Sequence, residues 1–273
     1  MGKKKSRPTP VPADFVPHLI DAHTHLDSFA EQAAVIERAR AAGVEKLCTV
    51  GDDVAESERC IDTARAHEGV FAAVAIHPTK AHELDDDAKR RLTELANDPS
   101  CVAVGETGLD QYWIDHEPET TAPLDVQEAS LRWHIDLACA TGKALMIHNR
   151  EADADLLRIL DDAPKPETVI LHCFSSPFDV AKQALDRGYV LSMCGNVTFK
   201  RNDYLREAAA YAPADQILIE TDAPYMTPEP FRGARNEPSL IGHTANCIAA
   251  VRGVKVEDLA VQLSANFDTV YSL

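Results

Sequence analysis

Positive charge is scarce in this chain of 273 residues, where 27 lysines and arginines face 44 aspartates and glutamates for a net charge of −17. A protein that binds nucleic acid through its general surface usually carries a basic face. The overall charge therefore excludes a protein that binds nucleic acid non-specifically over its whole surface. It favours a small substrate, unless bound cations or local arginines reverse the field at one site.

Long apolar runs are also missing, because none approaches the roughly 18 residues that a membrane-spanning helix needs. We therefore expect no membrane association. Residues 1–7 are basic, but 8–17 are proline-rich where a signal peptide would carry its apolar segment. We predict a disordered leader over residues 1–17, and we expect the protein to be cytoplasmic.

Paired cysteines are the third absence: the seven cysteines form no Cys-x-x-Cys motif and no regular spacing. Such a dispersed, odd-numbered set is typical of reduced thiols inside a cell. Cys48, Cys101 and Cys139 lie in apolar stretches and are predicted to fill the core. A chain of this length can bury a core large enough to fold without disulfides or a structural metal.

One pattern repeats from residue 18 onward: a short apolar run, a polar loop and a segment with helical periodicity. Runs rich in valine, isoleucine and leucine that alternate with helices indicate a parallel sheet covered on both faces. Helical periodicity is found, for example, at 29–41, 53–67, 124–141 and 152–160. The eight predicted strands are residues 18–21, 46–50, 70–76, 101–105, 144–147, 169–171, 189–192 and 216–219.

Eight strand–helix units in one uninterrupted series predict a single (β/α)8 TIM barrel over residues 18–273. An open, doubly wound sheet is the alternative, but no Gly-x-Gly-x-x-Gly follows the first strand. Residues 255–273 are predicted to form an extra C-terminal helix that caps the barrel. The acidic, proline-containing stretch 112–123 interrupts the fourth unit, and we predict an irregular loop there that forms a lid or rim.

Metal-ligand side chains recur where the predicted strands end, which is where barrel enzymes place their catalytic groups. The first strand ends in Asp21-Ala-His23-Thr-His25, and residues two apart on a strand face the same way. Any one of these signals is weak, since a single histidine beside a strand is more often a packing or surface residue. Five strand ends together argue against that explanation. The predicted ligands are His23, His25, Glu106, His148, His172 and Asp222.

Six ligands indicate two divalent ions. One ion is predicted between the paired histidines of the first strand and Asp222, the other at the histidines of the fifth and sixth strands, with Glu106 as the bridge. Nitrogen and oxygen ligands fit zinc, manganese or magnesium. Cys173 and Cys194 are further candidates, although Cys173 should point away along its strand. We predict Asp222 and Glu106 as catalytic residues, because Asp222 can both hold an ion and steer the proton of an activated water.

With these residues in this order, the chain resembles the TatD-type metal-dependent deoxyribonucleases of the amidohydrolase superfamily, over roughly residues 18–271. The His-x-His pair alone fits any amidohydrolase, whereas the ordered set is specific. The motifs are Asp21-x-His23-x-His25-Leu-Asp27, Ile76-His77-Pro78, Gly105-Glu106-Thr-Gly-Leu-Asp110, His148-x-Arg150, His172-Cys-Phe174, Glu220-Thr-Asp222-Ala-Pro224-Tyr and Arg232-Gly-x-x-Asn236-Glu-Pro238.

The resemblance implies a TIM barrel, a two-metal centre on the same six residues and phosphodiester hydrolysis, commonly as a 3′–5′ exonuclease on DNA. It also places His77 and Arg150 near the mouth as substrate contacts. The family usually continues Gly-Leu-Asp with Tyr-Tyr or Tyr-His and a shorter acidic loop. Here the chain reads Gln111-Tyr-Trp and the loop is longer, which leaves the shape of the substrate open.

Local arginines can make the mouth basic although the whole protein is acidic. Arg232 and Arg235, after the eighth strand, are predicted phosphate contacts because guanidinium forks match phosphate geometry. Trp113 and Phe199 are candidates for stacking on a base, with core packing as the alternative. We expect DNA ends or single strands as the substrate, no obligate protein partner and a monomer.

Two other functions stay open at the level of the sequence. An amidohydrolase that cuts an ester or amide, such as aminoacyl-tRNA or a small molecule, would use the same centre and suit the acidic charge. The arginine-rich loop would then lack a purpose. A non-catalytic barrel that only binds a partner would have no need for six intact ligands.

Overall fold

The eight apolar runs are the strands of one parallel sheet in a computed structural model, which describes residues 9–273. The strands pair in chain order from β1 to β8, and each prediction is confirmed to within a few residues at its start. The strands are β1 (Leu19–Thr24), β2 (Val44–Val50), β3 (Val70–Val74), β4 (Cys101–Asp110), β5 (Ala144–Arg150), β6 (Val169–Leu171), β7 (Val190–Met193) and β8 (Ile217–Ile219).

Residues just beyond β8 close the barrel against β1. The amide of Asp222 donates to the carbonyl of His23 at 2.9 Å, and the amide of His25 donates to the carbonyl of Ala223, also at 2.9 Å. The buried carboxylate of Asp21 accepts from the amide of Thr221 at 2.8 Å and from its hydroxyl at 2.5 Å. The barrel is confirmed over the open sheet, and its closure places Asp222 beside the histidine pair.

Helices cover the outside of the barrel, and side chains cap the first turns of several. Asp53 accepts from the amide of Glu56 at 2.9 Å, as expected for an N-cap. In the part of the chain that the structure describes, no helix is long and apolar enough to cross a membrane. The helices are α1 (Gln32–Ala41), α2 (Val54–Ala66), α3 (Asp86–Ala96), α4 (Gln111–His116), α5 (Leu124–Thr141), α6 (Asp153–Asp162), α7 (Phe178–Asp186), α8 (Asp203–Tyr211), α9 (Ile241–Arg252) and α10 (Val256–Tyr271).

The C-terminal helix α10 packs against the amino-terminal end of the barrel. The side-chain amide of Asn266 donates to the carbonyls of Ala214 and Ile217, at the start of β8, at 2.7 and 2.8 Å. Phe267 packs on Phe71, near the start of β3, with ring centroids 5.8 Å apart. Because α10 covers this end, the opposite end, where the strands finish, is the one available for a site.

The segment around the predicted ligands is more regular than its sequence indicates. β4 and β5 continue to Asp110 and Arg150, so that Glu106 and His148 lie within strands. The stretch 112–123 begins as part of α4, because the Asp110 carboxylate accepts from the Trp113 amide at 2.8 Å and starts a helix there. The prediction of a wholly irregular loop was therefore wrong.

The predicted disordered leader, 1–17, differs from the structure where it can be compared; residues 1–8 lie outside the described residues. Residues 9–17 form no helix or strand, but Val16 is buried and the Val11 carbonyl lies 2.9 Å from the ring nitrogen of His243. This part contacts the barrel through the buried side chain of Val16, whereas Val11 and Phe15 stay exposed. Cys139 also differs from its prediction: its position on the outer side of α5 leaves it exposed.

Candidate metal centre

The six predicted ligands meet where the strands end; five of them line a cavity of about 690 Å³, and the sixth, His23, is fully buried beside them. β1 ends in the histidine pair, β4 carries the glutamate, β5 and β6 each present one histidine, and an aspartate follows β8. All six side chains are buried or partly buried. The residues are His23, His25, Glu106, His148, His172 and Asp222.

Glu106 lies in the middle, and its two carboxylate oxygens face different pairs of imidazoles. Oε1 lies 3.4 Å from Nε2 of His23 and 3.4 Å from Nε2 of His25. Oε2 lies 2.8 Å from Nε2 of His172 and 3.1 Å from Nδ1 of His148. One carboxylate between two sets of nitrogen donors is the arrangement that can bridge two cations.

Two glycines let β4 approach β5 closely enough to bring Glu106 beside His148. Gly108 pairs with His148 across the sheet and has a φ of 149°, a backbone conformation that L side chains rarely adopt. A Cβ atom at Gly108 would overlap the carbonyl oxygen of His148, and one at Gly105 would overlap Met146. The Gly-Glu-Thr-Gly sequence therefore has a steric basis in this site.

The imidazoles turn one nitrogen inward, and their outer nitrogens rest on acceptors. Nδ1 of His25 lies 3.2 Å from the carbonyl oxygen of Val50. Nδ1 of His172 lies 3.1 Å from Oε1 of Glu220, a fully buried carboxylate. Because each outer nitrogen faces an acceptor, a proton is favoured there, and the inner Nε2 is the nitrogen that would hold a metal ion.

The other two histidines follow the same rule with different partners. Nε2 of His148 lies 2.8 Å from Oδ2 of Asp110, which leaves Nδ1 to face the centre. Asp110 uses its other oxygen to cap α4 at Trp113, so one buried carboxylate connects the helix at the rim to His148. Nδ1 of His23 lies 3.1 Å from the sulfur of Met146.

The inner nitrogens crowd one another. Nε2 of His23 lies 3.2 Å from Nε2 of His25, and Nε2 of His172 lies 3.4 Å from Nδ1 of His148. Lone pairs at such distances repel each other and also repel the carboxylate of Glu106. A positive charge between these groups, from protons or from metal ions, removes the conflict.

Carboxylates raise the pKa of two histidines in the pocket, whereas burial and neighbouring histidines lower the pKa of His23 and lower that of His77 to about 3. Burial lowers the pKa of His25, but the charge of Asp52 and the hydrogen bond to Asp222 outweigh burial and raise it to about 10. Burial also lowers the pKa of His172, but the charge of Glu106 outweighs it and raises the pKa well above its ordinary value. At His25 and His172 the carboxylates thus outweigh burial, and these positions attract cations.

Two of the predicted substrate contacts reach this cavity. Nε2 of His77 lies 3.8 Å from Oε2 of Glu106, so His77 borders the centre itself. Arg150 lines the mouth, where its guanidinium lies 3.7 Å from the ring centroid of Tyr112 and 5.6 Å from that of Trp113. The extended end of β5 carries Arg150, and the helix α4 carries Tyr112 and Trp113, so these three side chains lie together.

Arg232 and Arg235 are not among the described residues that line the cavity. The guanidinium of Arg232 lies 4.2 Å from the ring centroid of Phe199, and that of Arg235 lies 4.8 Å from the ring centroid of Phe29. Arg235 also donates to the carbonyl of Ser28 at 2.6 Å. Both lie further along the segment after β8 than Asp222, Tyr225 and Met226, the residues of that segment that line the cavity.

Sequence reasoning left three carboxylates at the site without a role. Asp52, directly after β2, has Oδ1 3.8 Å from Nδ1 of His25, and the strand-end argument applied to β2 could have found it. Asp110 and Glu220 stand inside the motifs quoted above. Their role as acceptors for the outer nitrogens needs the distances, because motif position alone does not distinguish a ligand from its support.

The fold and the site together define a TIM barrel with clustered metal-binding side chains where its strands end. The family model for TatD related DNase matches residues 20–272, and the chain belongs to that family. It is 44% identical over 260 residues to the "Uncharacterized metal-dependent hydrolase TatD" of Mycobacterium tuberculosis, covering 93% of this chain and 98% of the relative.

Two further similarities concern a named nuclease and a solved structure. The chain is 35% identical over 239 residues to the "3'-5' ssDNA/RNA exonuclease TatD" of Cronobacter turicensis, covering 85% of this chain and 88% of the relative. The crystal structure of YJJV, a TatD homolog from Escherichia coli K12, matches with a TM-score of 0.85 at 27% identity. That match covers 94% of this chain and 98% of the other.

Proposed function

We propose that this protein is a metal-dependent hydrolase that removes nucleotides from the 3′ ends of single-stranded DNA at a centre of two divalent ions. The observation that carries the proposal is the position of Glu106, whose two oxygens each face a separate pair of imidazoles. Family membership supports hydrolytic chemistry. The name of the Cronobacter relative supports a single-stranded nucleic acid as the substrate.

The donor set fits the ions that the proposal needs. Four imidazole nitrogens and two carboxylates face inward, and the outer nitrogens rest on acceptors that hold the rings in the metal-binding form. Nitrogen and oxygen donors suit zinc, manganese or magnesium. Two ions bound here would lower the pKa of a water between them and offset the charge that develops on a phosphoryl oxygen.

Asp222 is the proposed general base. Burial raises the pKa of Asp222, but the hydrogen bond to His25 and the charge of His23 outweigh burial and lower it below its ordinary value. The side chain is therefore ionised, and its Oδ1 lies 3.5 Å from Nε2 of His25 at the floor of the cavity. A carboxylate in that position orients a water and accepts its proton.

Arg150 is the proposed contact for the phosphodiester. It forms no ion pair with any described residue, so its guanidinium is available for an anion. Trp113 lines the same cavity beside Arg150, and its ring suits stacking of a base next to a bound phosphate. A cavity of about 690 Å³ suits one terminal nucleotide, since ligand cavities typically measure roughly 300–1,000 Å³.

A strand-degradation assay tests the proposal. Protein stripped with EDTA is reloaded with manganese, magnesium, zinc or cobalt and mixed with single strands labelled at either end. We expect labelled mononucleotide from the 3′-labelled strand, a ladder from the 5′-labelled strand, and no product in EDTA. Asp222→Asn is the matched inactive variant, with a rate reduced at least about 100-fold. Lack of release with every metal would refute the proposal.

The same preparations distinguish the alternative chemistry. A panel of carboxyl esters and amides, with aminoacyl-tRNA among them, measures the amidohydrolase activity that the same centre could support. The net charge of −17 favours this alternative, because it opposes the approach of a polyanion. A kcat/KM on the panel above that on DNA would assign the centre to ester or amide hydrolysis, and an RNA strand compared in parallel measures the sugar preference.

A further inference from the structure

A second cluster of metal-binding side chains lies on the outer side of His172, away from the six ligands. Cys173 follows β6, Cys194 follows β7 and Glu220 follows β8, so three neighbouring strand ends supply one group each. One ligand atom from each residue lies within 4.8 Å of the other two. The two cysteines that the sequence left as candidate ligands of the main centre therefore meet at another place.

Glu220 is the residue of this cluster that indicates a bound cation. The residue is fully buried, and its Oε1 accepts from the amide of Cys173 at 2.7 Å and lies 3.1 Å from Nδ1 of His172. Its other oxygen, Oε2, is buried and has no hydrogen-bond partner among the described residues. A buried carboxylate oxygen without a partner is costly, and here its carboxylate lies within 4.8 Å of two thiol sulfurs, which together indicate a missing cation.

We propose that Cys173, Cys194 and Glu220 form a separate site for a thiophilic divalent ion, with zinc as the biological case. Zinc–sulfur bonds of about 2.3 Å and zinc–oxygen bonds of about 2.0–2.2 Å place tetrahedral ligand atoms roughly 3.5–3.8 Å apart. Each pair of ligand atoms, which lie within 4.8 Å of each other, therefore needs to close by at most about 1.0–1.3 Å. Each thiol releases its proton to solvent on binding, and water completes the fourth position.

The site has an entrance and an enclosed interior. Cys173 lines the mouth cavity and is partly exposed, whereas Cys194 is fully buried. The Cys194 thiol donates to the carbonyl of Thr221 at 3.2 Å, which orients its sulfur. An ion can thus enter from the cavity beside Cys173. It would be coupled to the main centre, because Glu220 also accepts from His172.

Cadmium titration tests the site. Thiolate–cadmium bonds absorb in the ultraviolet by charge transfer, whereas imidazole and carboxylate ligands add no such band. The full-length protein, preloaded with manganese, is titrated with cadmium under reducing conditions. We expect a band that saturates at one cadmium per chain. Cys139→Ser, which removes an exposed thiol on α5, is the matched control and should leave that band unchanged.

The variants decide the assignment. Cys173→Ser and Cys194→Ser should each weaken cadmium binding at least tenfold and lose half or more of the band. Glu220→Gln should keep the band but weaken binding, because it keeps both thiols and removes the carboxylate. Cys194→Ala repeats the buried change without adding a hydroxyl, and circular dichroism confirms that each variant is folded.

Either of two results would overturn the site: no band in the wild-type protein, or full amplitude and affinity in both folded Cys173 and Cys194 variants. The site does not rest on the nuclease proposal, since the band reports sulfur ligands and the six-residue centre contains no thiol. A protein that degrades no DNA but shows the band would refute the proposed function and keep this site.

Discussion

Mild acid is expected to destabilise this protein through one buried histidine outside the metal centre. His134, on α5, is fully buried; its Nδ1 lies 2.8 Å from the carbonyl of Ser130, and the amide of Ile76 donates to its Nε2 at 3.2 Å. Both contacts require the neutral ring, because a second N–H would face the Ile76 amide. Burial lowers the pKa of His134 from 6.5 to about 4.

The sign and size of the effect follow from that shift. Above pH 6.5 the ring is neutral in both states and its contribution to stability is complete. As the pH falls from 6.5 towards 4, the unfolded chain takes up a proton that the folded chain excludes, so stability is lost. Because pH 5 lies about 1.5 pH units below the unfolded pKa of 6.5, and each unit corresponds to roughly 1.4 kcal/mol, the loss of stability there is about 2 kcal/mol.

Urea unfolding at pH 7 and pH 5 measures this loss in three proteins: the wild type, His134→Gln and His82→Gln. His82 is exposed and serves as the matched histidine control. EDTA in every sample keeps metal release out of the comparison, and all other titrating groups are shared. We expect the wild-type and control proteins to lose about 2 kcal/mol more than His134→Gln between the two pH values. Equal losses in the three proteins would refute the reasoning.

Three further predictions concern the site. Glu106→Gln should reduce bound metal from about two ions per chain to one or fewer, measured by elemental analysis, because the proposed bridge loses its charge; unchanged content would exclude bridging. Arg150→Ala should raise KM for a single strand about tenfold with a smaller change in kcat. It should also lower by about one the slope of log affinity against log salt concentration, whereas Arg150→Lys, which keeps the charge, should leave that slope unchanged. Gly108→Ala should cost at least about 2 kcal/mol in urea unfolding, since its Cβ meets the neighbouring strand. The matched control is Gly188→Ala, because Gly188 also has a positive φ, 81°, but a Cβ added there meets no atom within 4 Å. It should cost only the roughly 1–2 kcal/mol of backbone strain, and equal losses in the two variants would contradict the packing argument.

Strand number, strand order and the identity of the six inward residues follow from the sequence by itself. Valine- and isoleucine-rich runs specify strands locally, and residues two apart specify a shared face, so His23 and His25 could be paired without coordinates. The rule that catalytic groups collect where barrel strands end then joined them to Glu106, His148 and the rest. These inferences use only periodicity and residue type, which are properties of short segments.

Tertiary structure alone decided how these residues are held. Asp21 and Thr221 are 200 positions apart, and their hydrogen bonds exist only because the barrel closes. Strand register and loop path decide which acceptor each outer nitrogen meets and where α4 begins after Asp110. They also decide that Arg232 does not line the cavity. No local pattern encodes them, since hydrogen-bond geometry is set within tenths of an ångström by packing between distant segments.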